Sequence, residues 1–324
     1  MMHFLTRSLI FIVAILFTFV VKGQDWPNKP IRMIVPGAAG ASADALARSM
    51  AEVLGRQLGV AVVVENKVGA SGVLGADFVA KAQPDGYTLL FGQQDSQTIL
   101  PLLKKSLPYD TAKDFLPLAK VGDLYLIFAT NSKLPVDDMK QLVALAKASP
   151  GKLNYGSGGG GGINHLVSEL LVQRAGLQMQ HVPYKGGTPA ATALMGGEIE
   201  LFGGSYSLLG KSIESGRLRG VAVTSPSRMA QLPHVPTMAE MGYEDFTVSA
   251  WYGVFAPAKL PQTIAAKLSL SIVAAAKSLE YRQRMMVVGA EGEPLESAGF
   301  EKFLKQDYDR WKDVIQRGRI VLME

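Results

Sequence analysis

The sequence predicts an α/β protein of two domains, the first of them discontinuous, and three observations carry that expectation. Apolar runs of strand length alternate with amphipathic helical periods along most of the chain. Two glycine-rich turns, one at 36–44 and one at 157–165, each join such a run to a helix. From residue 261 onward only helical periods remain, so the chain is expected to leave its first domain and later return to it.

The elements follow in order. The apolar run 31–35 feeds the first glycine-rich turn and a helix over 43–58, and a strand at 61–65, a helix at 73–82 and a strand at 88–92 complete the first series. Pro84, Asp85 and Gly86 mark a turn within it. The second series reads as strand 124–129, helix 136–148, strand 153–155, helix 163–175, a strand around His181 and Val182 and helix 189–195. It continues with strand 199–202, helix 208–215 and strand 218–224. Helices over 261–277, 280–288 and 299–316 close the chain, and Ile264, Leu268, Ile272 and Val273 recur at helical spacing as a core stripe. Domain I is therefore expected over 24–122 and 248–324 and domain II over 123–247, hinged near Gly122 to Tyr125 and near Thr247 to Trp251.

With 324 residues, 48% hydrophobic and 19% charged, the chain has the length for two domains of about 100 to 200 residues each. Residues 1–23 read as a secretory signal peptide: Arg7 precedes an apolar run over 9–21 that falls short of the ~20 residues a membrane span needs. The mature chain is then expected outside the cytoplasm. Cysteine is absent, so neither a disulfide framework nor a lipid on an N-terminal Cys is available and the apolar core must stabilise the fold. The formal charge of +5 falls by two when Arg7 and Lys22 leave with the leader. That mild excess favours small anions and gives no nucleic-acid signature.

In the first turn, backbone donors from Ala38, Ala39, Gly40 and Ala41 and the hydroxyl of Ser42 could meet a carboxylate or phosphate at a helix start. Asp44 is ambiguous, because an acid there usually caps backbone N–H groups. In the second turn Ser157, Gly159, Gly161 and Gly162 precede Ile163 and His165. No G-x-x-x-x-G-K-[ST] loop is present, since the one GKS at 210–212 has Ser205 where the first glycine belongs. His165 and Glu169 share a helix face, but two ligands do not make a zinc site and no other histidine completes it. His165 is therefore read as a hydrogen-bonding residue near the turn. Tyr184, at a strand end before Gly186, offers a phenol donor or mere packing. No G-x-S-x-G elbow occurs, and an exported hydrolase would require a nucleophile and a base in contact, a pair the sequence does not reveal. No cofactor or metal is called for.

Several segments together, in this order, resemble the Bug or TctC family of extracytoplasmic solute receptors associated with tripartite tricarboxylate transporters. They include WPNKPIRMIVPGAAGASADALAR (26–48), VVVENKVGASGVLGADFVAKAQPDGYTLLFG (62–92), LPYDTAKDF (107–115), GKLNYGSGGGGGINHL (151–166), HVPYKGGTPA (181–190) and WYGVFAPAKLP (251–261). The resemblance spans nearly the whole mature chain. It implies a two-domain periplasmic binding protein fold, type II-like, with a hinged cleft that closes on a small carboxylate, and no enzymatic activity. The implied site takes in the two turns with Tyr184 and Gly186. Gln93 joins them because strand ends line the cleft of open α/β sheets.

The chain departs from the family pattern where Ala41 and Ser42 replace glycine, where Gly162 and Ile163 stand for Thr or Ser, and where Gly204 and Ser205 stand for an Asp-Asn pair after the strand ending at Phe202. Those departures lead us to expect a bulkier or less polar acid than a C4 dicarboxylate. The expected partners are transporter subunits or, alternatively, a membrane sensor kinase, with the receptor itself a monomer.

Overall fold

The computed structural model describes residues 26–320, so the expected leader lies outside the described residues. The chain builds a ten-stranded mixed sheet in the order β2-β1-β3-β9-β4-β7-β5-β6, with β8 and β10 also paired to β4. Three strands, β1 (Ile31–Val35), β2 (Val62–Asn66) and β3 (Thr88–Gln93), form a parallel set. A second parallel set contains β5 (Asn154–Ser157), β6 (Gln180–Pro183) and β7 (Leu201–Ser205). Their helical crossovers are α1 (Ser42–Leu58) and α2 (Val73–Ala80) in the first set and α5 (Ile163–Ala175) and α6 (Gly187–Gly196) in the second, as parallel neighbours require.

One long strand joins the two sets. β4 (Phe115–Asn131) pairs antiparallel with β9 (Ser249–Pro257) over its first two-thirds, then with β7 and β8 (Leu218–Val223) over its last third. The sequence reading recovered only 124–129 of this strand and none of β9. Pro117 and Gly122 interrupt the apolar pattern of β4, and the ladder slips at both places, between Pro117 and Ala119 and between Lys120 and Gly122. β9 is buried along almost its whole length and so shows no alternation.

Helices cover both faces of each set. On the first, α1, α8 (Gln262–Lys277) and α9 (Leu279–Val288) pack one face around Met33, Leu46, Leu268 and Tyr281. The other face gathers Ile34, Val79, Trp251, Phe255 and Phe300. On the second set, α4 (Met139–Ala148) and α5 bury Leu142, Leu166 and Leu171, while α6 and α7 (Tyr206–Glu214) bury Leu194, Phe202 and Leu209. Short elements, α3 (Leu100–Leu103) and β10 (Leu295–Glu296), complete the list.

The last helix, α10 (Ser297–Gly318), belongs to both halves. Its Phe300 lies in the core of the first set, whereas Trp311, Val314 and Ile315 lie in that of the second. Midway, the buried Asp307 accepts hydrogen bonds from Trp251 Nε1 at 2.8 Å, Trp311 Nε1 at 2.9 Å and Gln94 Nε2 at 3.1 Å. Burial raises the Asp307 pKa against the opposing pull of the Trp251 and Gln94 hydrogen bonds. A helix of this length, about 33 Å, spans both cores.

Candidate functional site

The two parallel sets run toward each other along β4. β3 and β4 are both antiparallel to β9 and so point the same way, while β7 is antiparallel to β4 and points back. Gln93, the last residue of β3, shares Tyr252 as a partner with Gly122 of β4, and Ser205, the last of β7, pairs with Leu126. Along β4 the carboxyl ends of the two sets are thus separated by the stretch from Gly122 to Leu126, about 13 Å at the rise of a β-strand. That is room for a small molecule. The halves also touch nearby, since a Cβ placed on Gly289, after α9, would lie 3.0 Å from Tyr206 Cβ at the start of α7.

Five helices, α1, α2, α5, α6 and α7, follow these carboxyl strand ends, four of them across short loops, and none has a side-chain hydrogen bond at its N-cap. α8 and α10 also begin uncapped, after Pro261 and Glu296. By contrast, the side chains of Asp138 and Ser278 cap α4 and α9, which start elsewhere. Uncapped first-turn N–H groups leave donors available to an external acceptor.

In the first turn Ala38, Ala39, Gly40 and Ala41 are exposed, with Ser42 half-buried as the first residue of α1. Asp44 does not face out with them. Its carboxylate, in a residue 4% exposed, accepts the Gly40 N–H at 2.9 Å, Asn66 Nδ2 at 2.9 Å and the Arg48 guanidinium. Burial pushes the Asp44 pKa up, but hydrogen bonds from Arg48, Gly40 and Asn66 outweigh it and hold the group below the usual carboxylate range. Asp44 therefore shapes the turn from beneath, and the Gly40 N–H is already taken.

Two neighbouring loops complete this side. After β2, Gly69, Ala70, Ser71 and Gly72 all adopt positive φ, an uncommon conformation for Ala and Ser. A Cβ on Gly72 would lie 3.3 Å from both Pro36 and Ser96, so the loops after β1, β2 and β3 meet there. Sequence reasoning missed Ala70 and Ser71. The only signal was the pair of glycines flanking them. Gln93 is half-buried at the end of β3, where a π-helical turn, Asp95–Ile99, takes over.

The second turn rests on a neutral cluster. Ser157, fully buried, donates to Gly159 O at 2.9 Å, accepts the Gly159 N–H at 3.2 Å and lies 2.7 Å from His181 Nε2. Gly161 N–H donates to His165 Nδ1 at 3.0 Å. The two imidazoles stack with centroids 3.7 Å apart and planes 8° apart, and Tyr155 packs beside both rings, 5.2 Å from His181 and 6.1 Å from His165, while its hydroxyl donates to Glu169. Burial, with His181 adding to it, pushes the His165 pKa down to about 4; burial also lowers His181, against the opposing charge of Glu169. His165 is therefore an unprotonated acceptor holding the turn, turned inward rather than toward the gap.

The Ser157–His181 contact is a hydroxyl–imidazole pair that the sequence did not reveal. Ser157 is fully buried and its hydroxyl also meets the carbonyl and N–H of Gly159, so the contact braces the turn from within. His181 was invisible to sequence reasoning because its role depends on the parallel pairing of Tyr155 with His181.

Gly159 and Gly161 have φ of 138° and 79°, Gly162 is exposed at the N-cap of α5, and half-buried Ile163 is that helix's first residue. The loop after β6 lies against this turn: Gly186 N–H donates to Gly158 O, and a Cβ on Gly158 would come within 2.9 Å of Gly187 N. Half-buried Tyr184 borders the same turn, its carbonyl oxygen 3.9 Å from where a Cβ on Gly159 would stand. Gly204 is a correction. The strand expected to end at Phe202 runs on to Ser205, and a Cβ on Gly204 would meet Leu209 and Phe202 at 2.8 Å, so this position faces the core and not the gap. Among the described residues no group of His, Asp and Glu side chains is suited to hold a metal ion, and no helix is long and apolar enough to cross a membrane.

Residues 46–320 match the tripartite tricarboxylate transporter family receptor, TctC. Protein BugT of Bordetella pertussis is 36% identical over 311 residues, covering 95% of this chain and 94% of that protein. The solved periplasmic binding protein BugD superposes with a TM-score of 0.72 at 33% identity, covering 91% of this chain and 99% of the other. An R. palustris protein solved with adipate gives a TM-score of 0.76 at 29% identity over 92% of this chain and all of that one. Helices on both faces of two inward-running parallel sets, a match over most of the chain and these relatives agree: the chain belongs to the TctC, or Bug, family of periplasmic solute-binding receptors and has their two-domain α/β fold.

Proposed function

We propose that this chain captures a small carboxylate in the gap between the carboxyl ends of its two parallel sets and presents it to a tripartite transporter. The single observation that supports this most is the gathering of five helix starts without side-chain caps around one gap of molecular size. Main-chain N–H groups there would hold the carboxylate, from Ala38, Ala39 and Ser42 on one side and Gly162 and Ile163 on the other, while Ala41, Gly159 and Gly186, whose N–H groups bond within the protein, shape the turns. Tyr184 and Gln93 border the ligand, while Asp44 and His165 keep the turns in shape. The receptor is exported after loss of residues 1–23, works as a monomer and carries out no chemistry on its solute.

The lobes in this reading are 24–122 with 248–324, and 123–247. A carboxylate that touches donors from both favours the closed arrangement by its differential affinity, and closure is what a transporter subunit would recognise. A relative solved with adipate makes aliphatic acids the first solutes to try. The test is a thermal-shift panel of aliphatic and aromatic carboxylates against amides of the same skeletons. At 100 times its Kd a true ligand stabilises by about 2.7 kcal/mol, a clear rise in Tm. Equal shifts from acids and their amides, or none from any acid, would remove the proposal.

A further inference from the structure

A second cavity, of about 1370 Å³, opens away from the gap, between the segment 101–117 and the first half of α10. None of its lining residues comes from the two glycine-rich turns or from the loop after β6. Along β4 its lining ends at Pro117, about 15 Å short of Gly122, where the gap begins, at the rise of a β-strand. Carboxylate capture in the gap makes no use of it.

Aromatic rings form its floor. Phe115 meets Phe255 edge to face with centroids 6.2 Å apart, and Tyr109 meets Phe115 in the same way at 5.6 Å. Gln97, from the π-helical turn after β3, joins the lining beside them: its Cγ lies 3.4 Å, and the Phe255 ring 2.7 Å, from where a Cβ on Gly92 would stand. This residue is only 5% exposed, and neither its Nε2 nor its Oε1 has a hydrogen-bond partner among the described residues. A buried carboxamide with both ends unanswered is unfavourable, and native proteins keep few such groups. A ligand lying on this floor would supply the missing partner.

The rim is cationic. Lys104 and Lys105 stand on one lip and Lys302 and Lys305 on the other, all exposed, and none of the four ammonium groups makes a hydrogen bond or ion pair among the described residues. Two of the lining acids are already engaged, Asp110 by Lys113 and Asp114 by the Asp110 N–H, which leaves Glu301 alone against the four lysines. We propose that this cavity is a second binding site, for a small anion whose aromatic body carries an amide. The ring lies on Phe115 and Phe255, the amide answers the Gln97 carboxamide, and the anionic end meets the lysines at the mouth. A few placed polar groups in an apolar hollow are what orient a ligand of this size. The site is independent of what the gap holds.

The test is calorimetry with three probes of one shape. N-benzoylglycine has ring, amide and anion; 4-phenylbutanoate keeps the anion without the amide; N-benzoylglycinamide keeps the amide without the anion. We expect N-benzoylglycine to bind the native protein about ten-fold tighter than either of the others. Gln97→Met should shrink its preference over 4-phenylbutanoate to about two-fold. The double variant Lys302→Ala, Lys305→Ala should do the same to its preference over N-benzoylglycinamide, and because both lysines are exposed it keeps the fold if Gln97→Met does not. Equal binding of the three probes, or no binding of N-benzoylglycine, would overturn the proposal. Binding that the lysine variant leaves unchanged would also overturn it, since the probe would then lie elsewhere, in the gap for instance. None of these results bears on carboxylate capture, which the thermal-shift panel decides separately.

Discussion

The two glycine-rich turns look alike in sequence, yet opposite chemistries hold them in shape. The turn after β1 stands on a charged triad in which Asp44 collects Arg48, Asn66 and the Gly40 N–H. The turn after β5 stands on neutral rings and a hydroxyl, with His165 accepting from Gly161 and Ser157 closing on Gly159. Both commit main-chain donors to their anchors, Gly40 in the first and Gly159 and Gly161 in the second. The second lies in direct main-chain contact with the loop after β6. A receptor can therefore present two similar rows of amides to one anion while anchoring each by a different interaction, and the two anchors should fail under different conditions.

The largest effect is expected at Gly158. A methyl group there would meet main-chain atoms of Gly186 and Gly187 at 2.9 to 3.0 Å, and backbone cannot give way as a side-chain tip can. Gly158→Ala should separate the two loops and weaken ligand binding by about 10- to 100-fold, as an overpacking cost of a few kcal/mol implies. Calorimetry beside a thermal melt distinguishes this from unfolding, and unchanged affinity would take the second turn out of the site.

Acid should come next in size and should act on the second turn first. His165 has a folded pKa of about 4 against an ordinary value of 6.5, so between those values the unfolded chain binds a proton that the native protein excludes. Stability then falls as pH drops from 6.5 to about 4, by roughly 3 kcal/mol in all, and the loss levels off below. Asp44, whose folded pKa is lowered, contributes stability that is complete above its unfolded value of 3.8 and is lost only at still lower pH. Urea melts across this range on the native protein and on His165→Gln check the order. If the variant keeps the full slope between pH 6.5 and 4, His165 is not its source.

A smaller loss is expected from Asp44→Ala. It leaves Arg48, Asn66 and the Gly40 N–H without their acceptor, at a cost of about 2 kcal/mol at neutral pH. Gly40→Ala should cost less, about 1 kcal/mol, because its φ of 81° disfavours a side chain although open space surrounds it. An Asp44→Ala melt no lower than that of Gly40→Ala would show that the triad is not what holds the first turn.

Much of this architecture was legible because α/β crossovers write their periods into the chain. Helix α5 begins at Ile163, where the glycine run ends, and the run 31–35 is β1 to the residue. What could not be read depends on pairing across distance. β9 has no alternation because it lies between two neighbours, and β7 runs through Gly203 and Gly204, which read as a turn until Leu209 and Val167 are seen filling the space beside them. The same limit governed the site. Glycines announced both turns, whereas the groups beneath them, Asn66, Arg48 and His181, come from other elements and are ordinary residues until the chain has folded.

Two of the chain's three tryptophans, Trp251 and Trp311, point their indole N–H groups at one carboxylate, that of Asp307, on the helix that spans both cores. Indole emission responds to the electric field along the ring. Any bending of the strap that accompanies solute capture would alter the angle or distance between these rings and Asp307, and with it the colour and intensity of the light they emit. The protein thus carries an intrinsic optical gauge at its joint, readable without a dye or label.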